Sequence, residues 1–247
     1  MHNILILTGN EVHHDFFCNS LIANCKNSNF TVLKFGSEMT DFEYFFSYFS
    51  IGLKDEDIEN KSKIVEFIFD RNKTLCLNEN FTLLKSSYNK KILRNTVELH
   101  EKLEEILSHN KFDLVLTYGC PIIKNNEILN MRSYNIHFGL SRFYRSGISN
   151  MKALSLNEFE KVGVTCHELT SRVDDGNVLF EVKLEKRSYK NLDEINYSLL
   201  KGSIYKLTQI INKFKFDTYN IPKGELILLK SFSYEMLIKI MANINNF

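Results

Sequence analysis

Apolar residues along the chain switch repeatedly between two periods. Asn3 to Thr8 is a short, nearly continuous apolar run closed by Gly9, the pattern of a strand buried on both faces, and Phe16, Leu21 and Ile22 follow at helical spacing. Phe30 to Phe35 and Phe112 to Leu116 predict a second and a third strand. Before the third lies a periodic stretch with apolar Ile92, Leu93, Val97, Leu103, Ile106 and Leu107, read as a long helix. Residues 38–89, polar and dotted with aromatics, read as an insertion. Further on, Tyr134 to Ile136, Val162 to Leu169 and Val178 to Leu184 predict three more strands, the last two a hairpin around Asp174-Asp175-Gly176-Asn177. Ile195 to Phe214 carries Leu199, Leu200, Ile204, Leu207, Ile210 and Ile211 at helical spacing, and Pro222 breaks the chain before a tail. Strand and helix alternate through the first half, so the expected class is α/β: a mostly parallel sheet flanked by helices, with ligands at the C-terminal ends of its strands. Residues 1–185 read as the main unit and 186–247 as a helical C-terminal extension.

Composition narrows what such a fold could do. Lys plus Arg is 31 and Asp plus Glu is 30, a formal charge of +1, which argues against a protein that neutralises nucleic-acid phosphates wholesale. The 5 cysteines form no Cys-x-x-Cys pair, and the chain enters the run Ile4 to Leu7 without the charged and apolar regions of a signal peptide. Its most hydrophobic patch, Phe42 to Phe49, falls well short of the roughly 20 apolar residues that cross a bilayer. The expectation is a reduced, cytoplasmic protein without membrane insertion. There is no phosphate loop and no Gly-x-Gly-x-x-Gly; His100-Glu101 and His167-Glu168 begin like a zinc-protease motif but continue to Glu104 and Ser171. His13-His14-Asp15 has no second ligand cluster at a recognisable spacing, so no metal site is expected.

The stretch that carries chemistry opens on Asn135-Ile136-His137. Two residues apart on an extended segment, an amide and an imidazole share one face and can converge on one reacting centre. An Asn N–H can stabilise negative charge developing on an acyl oxygen, and a His can take the proton lost by an attacking amine. The same residues also suit a turn cap and a hydrogen-bonded loop histidine. Cys120 and Cys166 read as small buried residues, not nucleophiles.

Four ordered segments extend this pair: Asn135-Ile136-His137, Arg142-Phe143-Tyr144-Arg145-Ser146-Gly147, Gly163-Val164-Thr165-Cys166-His167 and Asp174-Asp175-Gly176-Asn177-Val178-Leu179. In that order the chain resembles the formyltransferases that include the glycinamide ribonucleotide, methionyl-tRNA and nucleotide-sugar enzymes. The resemblance is firm from Asp113 to Leu184 and rests on strand order before that. It implies the formyltransferase Rossmann-like fold, a catalytic triad of Asn135, His137 and Asp174, and 10-formyltetrahydrofolate as donor. The folate's pterin would lie along Gly119, Cys120, Pro121 and Ile122. Asp174 also suits a hairpin turn, though its ordered partners favour the catalytic reading, and a one-residue change of register would pass its role to Asp175. His167 reads as packing beside the site. The chain departs from the family's pattern at Phe138, where a Pro is usual, and at Asp174-Asp175-Gly176-Asn177, where Asp-Thr-Gly-Pro is usual.

The resemblance also narrows the acceptor. The family's tRNA enzymes carry a further domain, whereas roughly sixty residues follow Leu184 here. Its ribonucleotide enzymes cradle phosphate after the first strand, where this chain places Glu11, a repulsive neighbour. The implied reaction is formylation of a primary amine on a nucleotide-linked amino sugar, as in lipopolysaccharide and other surface polysaccharide biosynthesis, by an enzyme that could pair as a homodimer. The alternatives are a related acyl or carbamoyl transferase with another donor, and an inactive binding module of the same fold.

Overall fold

In the computed structural model, residues 1–36, 92–93, 96–227 and 233–246 are described; the stretch read as an insertion, 38–89, lies outside them. The strands are β1 (His2–Gly9), β2 (Ser28–Phe35), β3 (Ile92–Leu93), β4 (Leu114–Tyr118), β5 (Ser133–His137), β6 (Tyr144–Arg145), β7 (Gly163–Glu168), β8 (Val178–Lys183) and β9 (Glu225–Leu226). The helices are α1 (Val12–Asn24), α2 (Thr96–His109), α3 (Asn126–Asn130), α4 (Ser149–Ser155), α5 (Leu192–Lys213) and α6 (Tyr234–Asn245).

Seven strands form one sheet in the order β3-β2-β1-β4-β5-β7-β8. The first five run parallel, and β7 pairs antiparallel with both β5 and β8. At the centre, Ile4, Leu5, Ile6 and Leu7 of β1 are all fully buried, as a strand covered on both faces requires. Among the described residues, alternation along the strands divides the core in two. Ile4, Ile6, Leu114, Leu116, Ile136, Val164 and Cys166 face a large core filled by α1, α4, α5 and α6. Leu5, Leu7, Leu33 and Val115 face a small one, closed by Leu99, Leu103 and Leu107 of α2 and Ile128 of α3.

Three expectations need correction. Ile92 and Leu93, read into the long helix, form β3 beside Lys34 and Phe35 of β2, and the helix begins at Thr96. Apolar residues at those two positions fit a helical period and an edge strand equally well, and pairing with β2 decides between them. The third strand runs from Leu114 to Tyr118, two residues later than Phe112 to Leu116. Asp113 is occupied at its start, its carboxylate accepting from the Asn3 amide at 2.8 Å, while Thr117 and Tyr118 are buried within the strand. The late helix starts at Leu192, not Ile195, because the Asn191 side chain accepts from the Glu194 amide at 3.0 Å and caps it. Its buried apolar residues, from Leu192 through Leu199 and Leu207 to Ile211, belong to the large core.

Candidate active site

The parallel register of β4 on β5 sets Thr117 beside Asn135, and the antiparallel register of β7 sets His167 beside Asn135 and Thr165 beside His137. These residues share the face of the small core, since Val115 and Thr117 lie two apart on β4. The loop 169–177 starts at the opposite end of β5 from His137: the Leu169 amide donates to the Ser133 carbonyl at 2.9 Å. It folds back over the sheet and delivers Asp174 onto the same face.

The three sequence-predicted residues meet there. His137 Nδ1 is 3.3 Å from Asp174 Oδ2 and the Asn135 amide nitrogen is 3.5 Å from Asp174 Oδ1. Asp175, the alternative register, turns away to Arg145 at 3.2 Å and Arg172 at 3.7 Å. Two further residues complete the cluster. The Thr117 hydroxyl donates to Asn135 Oδ1 at 2.8 Å, which fixes the amide plane with its N–H groups toward the site. His167 Nδ1 donates to the Glu168 carbonyl at 2.8 Å, and its Nε2 lies 3.3 Å from both the Asn135 nitrogen and Asp174 Oδ1. His167, read as packing beside the site, therefore touches two of the three.

Burial is the largest influence on both members of the His137–Asp174 pair. It holds the imidazole below its ordinary value of 6.5, reinforced by His167 and opposed by the Asp174 carboxylate and by the Tyr144 backbone. For Asp174 burial works upward, but His137, His167 and Arg145 outweigh it and keep the carboxyl below its usual range. Around neutral pH the pair is a neutral imidazole beside a carboxylate. Its Nδ1 donates to Asp174, which leaves Nε2 as the basic nitrogen; Nε2 is buried and, among the described residues, makes no hydrogen bond of ordinary geometry, although the Tyr144 backbone interacts with the ring. Gly139 lies against that ring, where a Cβ would overlap Nε2 and the Ser149 side chain. Asp174 itself sits in the left-handed region, at φ 48°. Chemically, the group offers an amide donor, a neutral base and an anion to stabilise the protonated base.

Gly119, Cys120, Pro121 and Ile122 follow directly on β4. Gly119 takes φ 61°, and the His14 ring lies so close to its Cα and to that of Gly9 that neither position has room for a side chain. Ile122 is 55% exposed. Tyr118 stacks on Phe138, ring centroids 5.5 Å apart, and links this turn to the end of β5. Burial pushes the Cys120 thiol up to about 12 and raises that of Cys166 as well, so both are protonated and unsuited to nucleophilic attack. At the start of α1, Glu11, His13 and His14 bring ligand-type atoms within 4.8 Å of one another. Glu11 and His14 are engaged there in a reciprocal helix cap, the Glu11 amide donating to His14 Nδ1 at 3.2 Å. Among the described residues no helix is long and apolar enough to cross a membrane.

No family model matches the chain. Among curated proteins, 140 residues are 28% identical to the bifunctional polymyxin resistance protein ArnA of Wigglesworthia glossinidia brevipalpis. That match takes in 52% of this chain but spans only 20% of the relative's length. Solved structures match far more completely. A sugar N-formyltransferase from a Shewanella species aligns over 98% of this chain and 88% of its own, at 14% identity and a TM-score of 0.59. A 4-N formyltransferase from Francisella tularensis aligns over 98% and 87%, at 15% identity and 0.58. An N-formyltransferase from Helicobacter canadensis, solved with folinic acid and dTDP-3-aminofucose, aligns over 97% and 78%, at 13% identity and 0.52. The fold of this chain is the one these formyltransferases share.

Proposed function

We propose that the protein is an N-formyltransferase that moves a formyl group from 10-formyltetrahydrofolate to the primary amine of a nucleotide-linked amino sugar. The reading is carried by one observation: Asn135, His137 and Asp174 converge on this fold with the basic nitrogen of His137 buried and, among the described residues, without a hydrogen bond of ordinary geometry. A buried polar atom without a partner is costly unless a ligand supplies one, which is the fit expected of a site completed by its reactants. The bound donor supplies the formyl carbon. The Asn135 N–H donates to the acyl oxygen as charge builds there, with Thr117 holding the amide in place. His137 Nε2 takes the proton of the incoming amine, and Asp174 stabilises the resulting imidazolium through Nδ1. Gly119 to Ile122 would carry the pterin along their backbone. No covalent enzyme intermediate is needed, in keeping with the protonated thiols.

For the acceptor, the N-terminus of α1 is occupied by the Glu11–His14 cap, which puts a carboxylate where a phosphate monoester would otherwise be drawn. The Helicobacter neighbour was solved with a nucleotide-linked amino sugar and a folate, and this chain is assigned the same substrate classes. We place the reaction in the cytoplasm, ahead of assembly of a surface polysaccharide, with residues 1–185 carrying the chemistry.

The test is incubation with 10-formyltetrahydrofolate and a panel of nucleotide-linked amino sugars, followed by mass spectrometry for the gain of one formyl group. His137→Ala is expected to abolish the gain, a fall of about 10²- to 10⁴-fold, while folding and folate binding persist. Formylation by wild type that survives in His137→Ala would remove His137 from the chemistry. Neither product nor folate binding by wild type would end the formyltransferase reading.

A further inference from the structure

We infer that Arg145 is a positioning residue for the proposed transfer, tying the loop that carries Asp174 to the chain's C-terminal segment. The kinetic part of this inference rests on the formyltransferase reading; the structural part does not.

The need for a tie comes from the backbone. Asp174 sits at φ 48°, a region residues with a side chain enter less readily than glycine; its carboxylate is held by His137 and His167, and the residues on either side of it need holding as well for the turn to keep its place. The base of its loop is secured by Glu168, whose amide donates to the Asn177 carbonyl at 2.8 Å and whose carboxylate accepts from Asn177 Nδ2 at 2.9 Å and the Thr218 hydroxyl at 3.0 Å. None of these bonds reaches the residues next to Asp174. Arg145 reaches both: Nη1 donates to the Val173 carbonyl at 3.4 Å and to Asp175 Oδ1 at 3.2 Å. From the same guanidinium, Nε donates to the Gly224 carbonyl at 3.0 Å.

Gly224 is itself a fixed point. Its amide donates to the Ser141 carbonyl at 2.8 Å, and the Glu225 and Ile227 amides donate to Phe143 and Arg145 at 2.9 and 3.1 Å, which pairs β9 in parallel with β6. The chain runs so close to the Phe143 backbone that a Cβ at position 224 would overlap it. Lys223 adds a second strut, its Nζ donating to the Gly176 carbonyl at 2.8 Å. Residues 137–145 follow directly from His137, so one stretch of chain carries the base at its start and clasps both neighbours of the anion at its end. The rigid guanidinium suits this tie, because Nη1 faces the loop while Nε, a separate nitrogen in the same plane, faces Gly224, and the single nitrogen of a Lys cannot occupy both positions.

The experiment compares wild type with Arg145→Gln, Arg145→Lys and Lys223→Met by amide hydrogen–deuterium exchange and by transfer kinetics. Exchange of amides 173–176 is expected to rise about tenfold or more in Arg145→Gln, to stay raised in Arg145→Lys, and to rise less in Lys223→Met. Transfer, normalised to the folded fraction read from thermal denaturation, should show kcat reduced at least tenfold with acceptor KM unchanged in both Arg145 variants, whereas a loss confined to stability would leave the normalised kcat at the wild-type value. Lys223 is exposed and its substitution leaves the core intact, so it keeps the test decisive if the Arg145 variants fail to fold. Wild-type exchange in the loop of every variant that folds would overturn the inference. Should wild type transfer no formyl group, the functional reading fails, and loop exchange alone decides whether Arg145 is the tie.

Discussion

Replacing Asp174 by Asn separates the charge of its carboxylate from its shape. The carboxylate opposes burial at His137, so removing it lets the imidazole titrate lower still. In wild type, with the imidazole held below 6.5, transfer should be level above about pH 7 and fall off on the acid side of the ordinary histidine range. In Asp174→Asn the acid limb is expected to move to lower pH while kcat drops about 10²- to 10⁴-fold, because the protonated imidazole loses its stabilising anion. A pH–rate profile of both proteins checks this, and a limb that moved upward would contradict it. At this scale the sequence is informative where spacing is local. Asn135 and His137 two apart on a strand are bound to share a face. Thr117 escapes notice because its partner is across the sheet and the apolar run ends at Leu116; a lone polar residue in a buried strand is the available signal. The part played by Arg145 depends on a carbonyl 79 residues away, which no local pattern announces.

The turn that presents Asp174 depends on Gly176 for a reason other than backbone freedom. Its Cα lies against the Glu168 carbonyl, and a Cβ would overlap that backbone group, which cannot swing aside as a side-chain tip would. Gly176→Ala is therefore expected to cost about 1–3 kcal/mol in urea denaturation, as overpacking does. It should also reduce transfer, since the displaced turn carries Asp174 with it. A variant as stable as wild type would contradict the close approach. Elements long enough to repeat a period are legible: β1, the β7–β8 pair and α5. The two-residue strands β3, β6 and β9 are not, because two residues define no period and their pairing partners are distant in the chain.

Alternation of strand and helix points to a parallel sheet, yet the side-by-side order, with β4 next to β1 and β7 reversed against β5, follows from pairing across distances that local pattern does not encode. Among the described residues the two faces of that sheet are unequally covered: α1, α4, α5 and α6 on one, α2 and α3 on the other. Opening a helix exposes the apolar surface it buries, so the thinner cover separates at lower free energy. Amides of α2 are expected to exchange with deuterium well before those of α5 in the folded protein; simultaneous exchange would mean the faces open together. Among the described residues the side closed by α2 and α3 is the one more readily opened, and Asn135, His137 and Asp174 look out on it. Opening of α2 and α3 would bare those three side chains while the strands beneath, held by the larger described core, keep their places.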